Sequence, residues 1–243
     1  MDMMFGLSRG QSVLLSDISR SLDEDIKLRY TIDRLSAHLE NMNDHEMDIL
    51  KNNYNQLVFK NIDEEPLVLL DDSEIIKKYG KKFEDLCMVR DASSLKEDIY
   101  PGYHVCEATV VTQNEKQPIS LYSHIYSTES KGFKSMNDET LKSIEYVKSV
   151  IKNVCTFVCD RGYDANIYYD YFLDTNENKD DFVIKLKENR KLLFKGKSKK
   201  AGEVAIKRKG RIKMNMYFSK EKVEVYVSHT RVELPTHKGK TLY

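Results

Sequence analysis

Two short apolar runs in this sequence of 243 residues are each followed by aspartate. Residues 67–70 read Leu-Val-Leu-Leu and precede Asp71 and Asp72, and residues 154–159 read Val-Cys-Thr-Phe-Val-Cys and precede Asp160. Runs of this length predict buried strands that end at the acids. Ligands of open α/β sheets bind beyond the carboxyl ends of the strands, so we expect Asp71 and Asp160 to lie on adjacent strands and share one site.

Two carboxylates that converge repel each other and shift each other's pKa unless a cation neutralises them. Hard oxygen ligands suit Mg²⁺, which keeps several waters and is often held by one or two carboxylates and a phosphate. The pair therefore predicts a magnesium site, with Mn²⁺ as a substitute. A second interpretation stays open for each acid alone, because "DDS" and "DRGYD" are also turn or helix-cap sequences in which Asp164 can cap a helix.

Charge is distributed unevenly along the chain, although 39 Lys and Arg balance 39 Asp and Glu overall. Residues 185–243 contain 18 Lys and Arg against 5 Asp and Glu, a net charge of +13, and the preceding 184 residues carry −13. A basic segment of this kind predicts a surface for a polyanion, and a solvated basic tail is the alternative.

Composition also limits the class of protein. No apolar stretch approaches the roughly 18 residues of a membrane span, and no secretory signal begins the sequence, so we expect no membrane partner. The four cysteines fit no zinc spacing, and Cys155 and Cys159, in the predicted buried strand, are interpreted as small core residues in a reducing cytoplasm. The four cysteines are Cys87, Cys106, Cys155 and Cys159.

The order of predicted elements indicates an α/β fold. Helical periodicity fills residues 1–62, with Asp44 as a helix cap, and strand-like runs follow from Leu67. A helix over residues 137–153, the strand that ends at Asp160, a further helix and the strand "DFVIKLK" complete a mixed sheet. After Arg190 the pattern is basic and strand-rich, with "GEVAIKRK" as a predicted strand and "KGKSKK" as a predicted exposed loop.

The blocks "VLLDDSEIIKKYGKKFEDLCMVRDASS", "YPGYHV", "QPISLYSHIYS" and "FKSMNDET", followed by "VCDRGYDANIYYDYFLDTNENKDDFVIKLKENRKLLFKGK", resemble insertion-sequence DDE transposases of the type with a Tyr-Arg-Glu-Lys signature. The similarity is colinear from about Ser12 to the end of the sequence. Its strongest part runs from Asp160 to Arg190.

The resemblance implies a fold and a mechanism. It predicts an N-terminal helical region (1–62), an incomplete ribonuclease H-like catalytic core (63–193) and the start of a β-rich insertion (194–243). In this family two Asp and one Glu hold two magnesium ions for DNA strand cleavage and transfer. The family's Asp-x-Ser/Thr pattern selects Asp71, with Ser73 two residues on, and Asp72 is the rival because neighbours in a strand face opposite ways. The second acid is Asp160.

The resemblance also implies DNA as partner, both as element ends and as target, with a homodimer in a synaptic complex and a cytoplasmic, nucleoid-associated location. Basic residues that would line the DNA path are Arg161, Lys185, Lys187, Arg190, Lys195 and Lys197. Their alternative interpretation is that of ordinary exposed charges.

One departure from the family pattern concerns the third acid. No Tyr-x-x-Arg-x-x-x-Glu pattern follows Asp160, so we expect the catalytic Glu to be missing from this chain, as in a truncated copy or a fragment. A second function therefore stands beside the transposase: a non-catalytic DNA-binding remnant that competes with the full-length enzyme.

Overall fold

The computed structural model describes most of the chain. The described residues are 2–80, 82–92, 94, 96, 98–114, 116–173, 179–194, 196–207, 212–218, 221–227, 232–233 and 241–242. They divide into two compact units, Met1–Leu57 and Val58–Tyr243, which we describe separately. The limits proposed above for three domains stay predictions.

The first unit is helical, as predicted. Its helices are α1 (Asp2–Gly10), α2 (Leu15–Leu22), α3 (Leu28–Glu40) and α4 (Asp44–Phe59), the last of which runs into the second unit. Asn43, and not Asp44, caps α4: Asn43 Oδ1 accepts from the Glu46 N–H at 3.0 Å, and Glu46 Oε2 accepts from the Asn43 N–H at 3.2 Å. This reciprocal pair satisfies two otherwise unpaired donors, which is why Asn43 is the better cap.

A six-stranded mixed sheet forms the centre of the second unit. Its strands are β1 (Leu67–Ile76), β2 (Cys87–Arg90), β3 (Ile99–Val111), β4 (Pro118–Tyr126), β5 (Thr156–Cys159) and β6 (Asp181–Ile184). The order is β2-β3-β1-β5-β6, and β4 pairs with the same edge of β3 further along. Pairs β1/β5 and β5/β6 are parallel and the others are antiparallel. The predicted mixed α/β architecture is therefore confirmed.

Two helices cover one face of this sheet, α5 (Met136–Val150) and α6 (Asn166–Leu173). Ser135 caps α5 by accepting from the Asp138 N–H at 3.1 Å. Alternate residues of β1, Val68 and Leu70, pack into one core with Ile144 and Val147 of α5. Strand alternation places every second residue of β1 on this covered face, and the others face away from it.

Four further strands form a second sheet, in the order β10-β9-β7-β8. They are β7 (Lys191–Phe194), β8 (Lys197–Lys200), β9 (Ile212–Phe218) and β10 (Glu221–Val227); β11 (Val232–Glu233) pairs with β12 (Thr241–Leu242). Leu192 of β7 packs with Tyr169 of α6 and Val204 in a small core.

Two sequence predictions in this region are wrong. Residues 202–207 of the segment predicted as the strand "GEVAIKRK" lie in α7 (Ala201–Lys207), because tertiary packing of Val204 against Leu192 outweighs the β propensity of this segment. Residues 197–200, predicted as a loop, pair with β7, and Gly196 at φ +75° forms the turn between the two strands. Lys195 lies outside the described residues.

In the part of the chain that the structure describes, no helix combines the length and the apolar character required to span a bilayer.

Candidate functional site

Asp71 and Asp160 lie on adjacent parallel strands, as predicted. The last residue pair of the β1/β5 ladder is Leu70 with Cys159, so the next residue of each chain segment is one of the two acids. Both side chains are exposed. The fold therefore brings together two carboxylates that are far apart in sequence.

The predicted end of the first strand is wrong. β1 does not stop at the acids but continues through Asp71 and Asp72 to Ile76, paired with β3. Only β5 ends there, with Cys159. The long partner strand β3 supplies hydrogen-bonding groups beyond the level at which β5 ends, and this outweighs the low β propensity of Asp.

Partial burial and the charge of Asp160 raise the pKa of Asp71, with burial the larger cause and Asp72 a further contribution. No Lys or Arg of the described residues forms an ion pair with either acid. The charge repulsion between them is therefore left for a bound cation or solvent to screen.

A tight turn fixes the backbone around Asp160. Its Oδ1 accepts a 2.6 Å hydrogen bond from the Gly162 N–H, at the start of the short 3-10 turn Arg161–Tyr163. A Cβ at position 162 would lie 2.9 Å from that same oxygen, so a side chain there would displace the carboxylate. Asp160 can therefore both stabilise the turn and bind a ligand, because its Oδ1 accepts the hydrogen bond from Gly162 and its Oδ2 is left for a ligand.

Lys185 follows the end of β6, as Asp160 follows the end of the neighbouring strand β5. Cys159 pairs with Ile184 in the parallel β5/β6 ladder, and the Lys185 N–H donates to the Cys159 carbonyl at 3.2 Å. Asp71, Asp160 and Lys185 therefore follow the last paired residues of three consecutive parallel strands. The exposed Lys185 ammonium places positive charge at the edge that carries the two acids.

Asp72 lies on the opposite face of β1 from Asp71, as strand alternation requires. The Thr140 hydroxyl of α5 donates to Asp72 Oδ2 at 3.3 Å, and Asp72 Oδ1 is buried. Burial raises the pKa of Asp72, and hydrogen bonds from Cys106 and Thr140 act in the opposite direction. Its position below α5 makes Asp71 the better partner for Asp160.

Several polar side chains that sequence reasoning did not identify surround Asp72 beneath α5. Glu139 is almost fully buried, and its carboxylate is paired with Lys142 at 2.7 Å. The His104 ring stacks on Tyr126, with ring centres 5.4 Å apart. The hydrogen bond from Thr140 to Asp72 joins α5 to β1 within this cluster.

Arg190 and Lys187, predicted to line a DNA path, are both bound to Asp164. The Asp164 side chain has no exposed surface; Arg190 Nε donates to its Oδ1 at 2.7 Å and the Lys187 N–H donates to its Oδ2 at 2.7 Å. The Arg190 guanidinium also lies over the Tyr169 ring. The predicted helix cap is therefore wrong for Asp164, whose carboxylate joins β6 to α6 instead. These two basic residues, with Asn189 and Ser198, line a cavity of about 470 Å³.

The remaining predicted DNA contacts are dispersed. Arg161 is half-buried in the 3-10 turn next to Asp160, and Lys197 is exposed at the start of β8. Their assignment as DNA contacts stays a prediction.

The side chains that could hold a magnesium ion at this edge are those of Asp71 and Asp160. Asp71 and Asp160 supply two exposed carboxylates that lack a cationic partner within the described part of the chain. In that same part, no group of three or more His, Cys, Asp and Glu side chains is arranged to hold a metal ion. Mg²⁺ is commonly held by two carboxylates, with waters and substrate phosphate completing the shell.

No protein-family model matches the sequence, and no curated protein matches it. Among solved structures, the chain is similar to the Drosophila P element transposase strand transfer complex, with 10% identical residues and a TM-score of 0.31. The similarity covers 86% of this chain and 54% of that one, so this chain spans about half the length of the chain it matches.

Proposed function

We propose that this chain carries part of the catalytic site of a DNA transposase of the insertion-sequence DDE type. The observation that carries the proposal is the register of β1 and β5, which sets Asp71 beside Asp160 at the carboxyl edge of parallel strands. The resemblance of "DRGYD" and "FVIKLKENR" to the family supports it, as does the +13 charge of residues 185–243.

Asp71 and Asp160 would hold Mg²⁺, or Mn²⁺ in its place. The ion would supply charge stabilisation and a bound water or DNA 3′-hydroxyl of lowered pKa for attack on phosphate. Asp160 keeps one oxygen in the hydrogen bond to Gly162, so its orientation is set before any ligand arrives. The ammonium of Lys185 favours a phosphate next to the two acids.

In the transposase family that the sequence resembles, three carboxylates hold the metal ions, and Asp71 and Asp160 supply only two of them. We propose that strand cleavage requires a third carboxylate from a downstream segment, and that a homodimer brings two DNA ends together. Loss of a metal ligand should damage the chemistry more than DNA affinity, because affinity comes from phosphate contacts spread over many basic residues.

The test is magnesium-dependent nicking of supercoiled plasmid DNA. Residues 1–243 alone should leave the plasmid intact. An in-frame extension that contains a Tyr-Arg-Glu-Lys helix, taken from the nucleotides that follow the Tyr243 codon, should nick it, and Asp160→Ala in that extension should abolish nicking. Nicking by residues 1–243 that survives Asp160→Ala would refute the proposed site.

A second candidate function is a DNA-binding remnant without catalysis. The observation that favours it is that the described residues offer no cluster of three metal-binding side chains. It predicts that residues 1–243 bind DNA and inhibit nicking by the extended protein when the two are mixed.

A further inference from the structure

The strands β1 and β3 form an arm that continues past the end of β5. Pairing of β1 with β5 stops at Leu70, whereas pairing with β3 continues to Ile76 opposite Gly102. β2 joins the far end of this arm by pairing Cys87 with Gly102. The arm therefore begins at the sheet edge that carries Asp71 and Asp160 and extends beyond it.

The end of the arm is rich in lysine and aromatic residues. We call it the lysine tip and define it as Lys77, Lys78, Tyr79, Gly80, Lys82 and Phe83. Tyr79 is 87% exposed and Phe83 is 56% exposed, and Lys78 and Lys82 are exposed too. The acids Glu84 and Asp85 follow directly and are also exposed, so the tip is basic on one side only.

Backbone contacts hold the tip in a defined conformation. The Gly80 N–H donates to the Lys77 carbonyl at 2.8 Å, which closes a turn with Tyr79 at its third position, and the Lys77 N–H donates to the Pro101 carbonyl at 2.7 Å. A Cβ on Gly80 would come within 2.5 Å of the Phe83 ring, so glycine lets that ring pack against the turn.

The three aromatic rings near the tip are in different environments. Lys77 Nζ lies 5.7 Å from the centre of the Phe83 ring, and Lys78 Nζ lies 4.7 Å from the centre of the Tyr100 ring. These cation–π contacts orient the two ammonium groups. The Tyr79 ring makes no such contact with a described residue and presents both faces to solvent.

We propose that the lysine tip binds unpaired DNA, with a base stacked on Tyr79 and phosphates on Lys77, Lys78 and Lys82. An exposed aromatic ring flanked by cations is the arrangement by which proteins hold single strands, because every base has a face to stack and every linkage a negative charge. Duplex DNA presents no free base face, so it would contact only the lysines.

The location of the lysine tip assigns a role to its binding of unpaired DNA, and this role rests on the proposed transposase function. From Asp71 to Lys77 the strand rises by about 20 Å at roughly 3.3 Å per residue. A DNA strand bound at the two acids can therefore reach the tip along the arm. The tip would hold the segment that becomes unpaired next to the cleaved phosphate.

The experiment measures binding of the 243-residue chain to one fluorescent oligonucleotide, free as a single strand and annealed as a duplex. Tyr79→Ala should weaken single-strand binding by about tenfold and leave duplex binding unchanged. Tyr79→Phe keeps the stacking surface and should bind normally. Tyr30→Ala, at another well-exposed tyrosine, is the matched control.

Replacing Lys77, Lys78 and Lys82 with Gln should lower the affinity for both DNA forms. On single strands it should also reduce the slope of log affinity against log salt by about 0.7 for each phosphate that the variant no longer neutralises. Lys131→Gln with Lys134→Gln provides the control at other exposed lysines. Equal weakening of single-strand and duplex binding by Tyr79→Ala, or no weakening, overturns the proposal. A concentration-dependent dimer that Tyr79→Ala abolishes would assign the tip to contact with a second copy instead.

These outcomes are separable from the proposed catalytic site. Single-strand binding that depends on Tyr79 would stand even if Asp71 and Asp160 bind no metal. Conversely, metal binding by the acids with no effect of Tyr79→Ala removes the tip proposal alone.

Discussion

Arg190 Nε donates a 2.7 Å hydrogen bond to Oδ1 of Asp164, whose side chain is completely buried. The Tyr169 hydroxyl donates to the same oxygen at 2.9 Å, and the Lys187 N–H donates to the other. The carboxylate therefore ties the segment after β6 to the first turns of α6. The link lies close in sequence to both sides of the candidate site, because Asp160 precedes Asp164 by four residues and Lys185 precedes Lys187 by two.

Asp164→Asn should lower the free energy of unfolding by about 3 kcal/mol, because it leaves the Arg190 guanidinium, whose side chain is 18% exposed, without its counter-charge. The measurement is urea denaturation followed by tyrosine fluorescence. Asp63→Asn is the matched control, since Asp63 pairs with Lys116 at 3.4 Å on the surface of the same unit and should cost less than about 1 kcal/mol. Equal effects of the two substitutions would show that the buried link contributes little.

Metal binding should distinguish the two neighbouring aspartates. Mn²⁺ titration followed by electron paramagnetic resonance should show weakened binding for Asp71→Asn and for Asp160→Asn. Asp72→Asn should bind as the parent does, because Asp72 faces Thr140 beneath α5. Weakened binding in Asp72→Asn with normal binding in Asp71→Asn would reverse the assignment of the first ligand.

The lysines of β8, in the second sheet, should contribute to the salt dependence of DNA affinity. Replacing Lys197, Lys199 and Lys200 with Glu should flatten the plot of log affinity against log salt by about 0.9 for each duplex phosphate that these lysines neutralise. Their position on β8, paired to β7, presents them on a fixed strand instead of a loop. Charge reversal at Lys131 and Lys134 serves as the control, and an unchanged slope in the β8 variant would leave its lysines as solvated charges.

The cysteines should be unreactive in the folded chain. Burial raises the pKa of Cys155 to about 11 and the pKa of Cys106 and Cys159 to about 12, so at pH 8 about a thousandth of each thiol or less is thiolate. A thiol is mostly protonated at any pH below its pKa, so the reactivity of these cysteines should stay low from pH 7 to pH 9. Labelling with a thiol-reactive disulfide should reach all four cysteines only in denaturant, and rapid labelling of Cys106 or Cys159 in buffer would contradict this placement.

Local patterns predicted most of the elements around the site. Apolar runs identified β1, β3 and β5, and the periodicity of Leu141, Ile144 and Val147 identified α5. Alternation within β1 correctly separated Asp71 from Asp72. These features depend on neighbours in sequence, which is why they can be recognised there.

Features that depend on distant partners were missed. The continuation of β1 to Ile76 requires β3, which lies about thirty residues on, and α7 depends on the packing of Val204 against Leu192. Asp164 fits a helix cap by sequence, yet its actual partner Arg190 is 26 residues away. The signal "KKYGKKF" was visible, but only the exposure of Tyr79 identifies it as a surface for a partner.

The unequal lengths of β1 and β5 also affect self-association. Beyond Leu70 no described strand pairs with the side of β1 that faced β5, and such strand edges invite pairing with strands of other molecules. Asp71 places an exposed carboxylate beside this edge, and Lys77 and Lys78 continue the charged run. A second strand could add there only by bringing its own backbone against these charges, so we expect Asp71, which is proposed to hold a metal, also to disfavour aggregation through this edge.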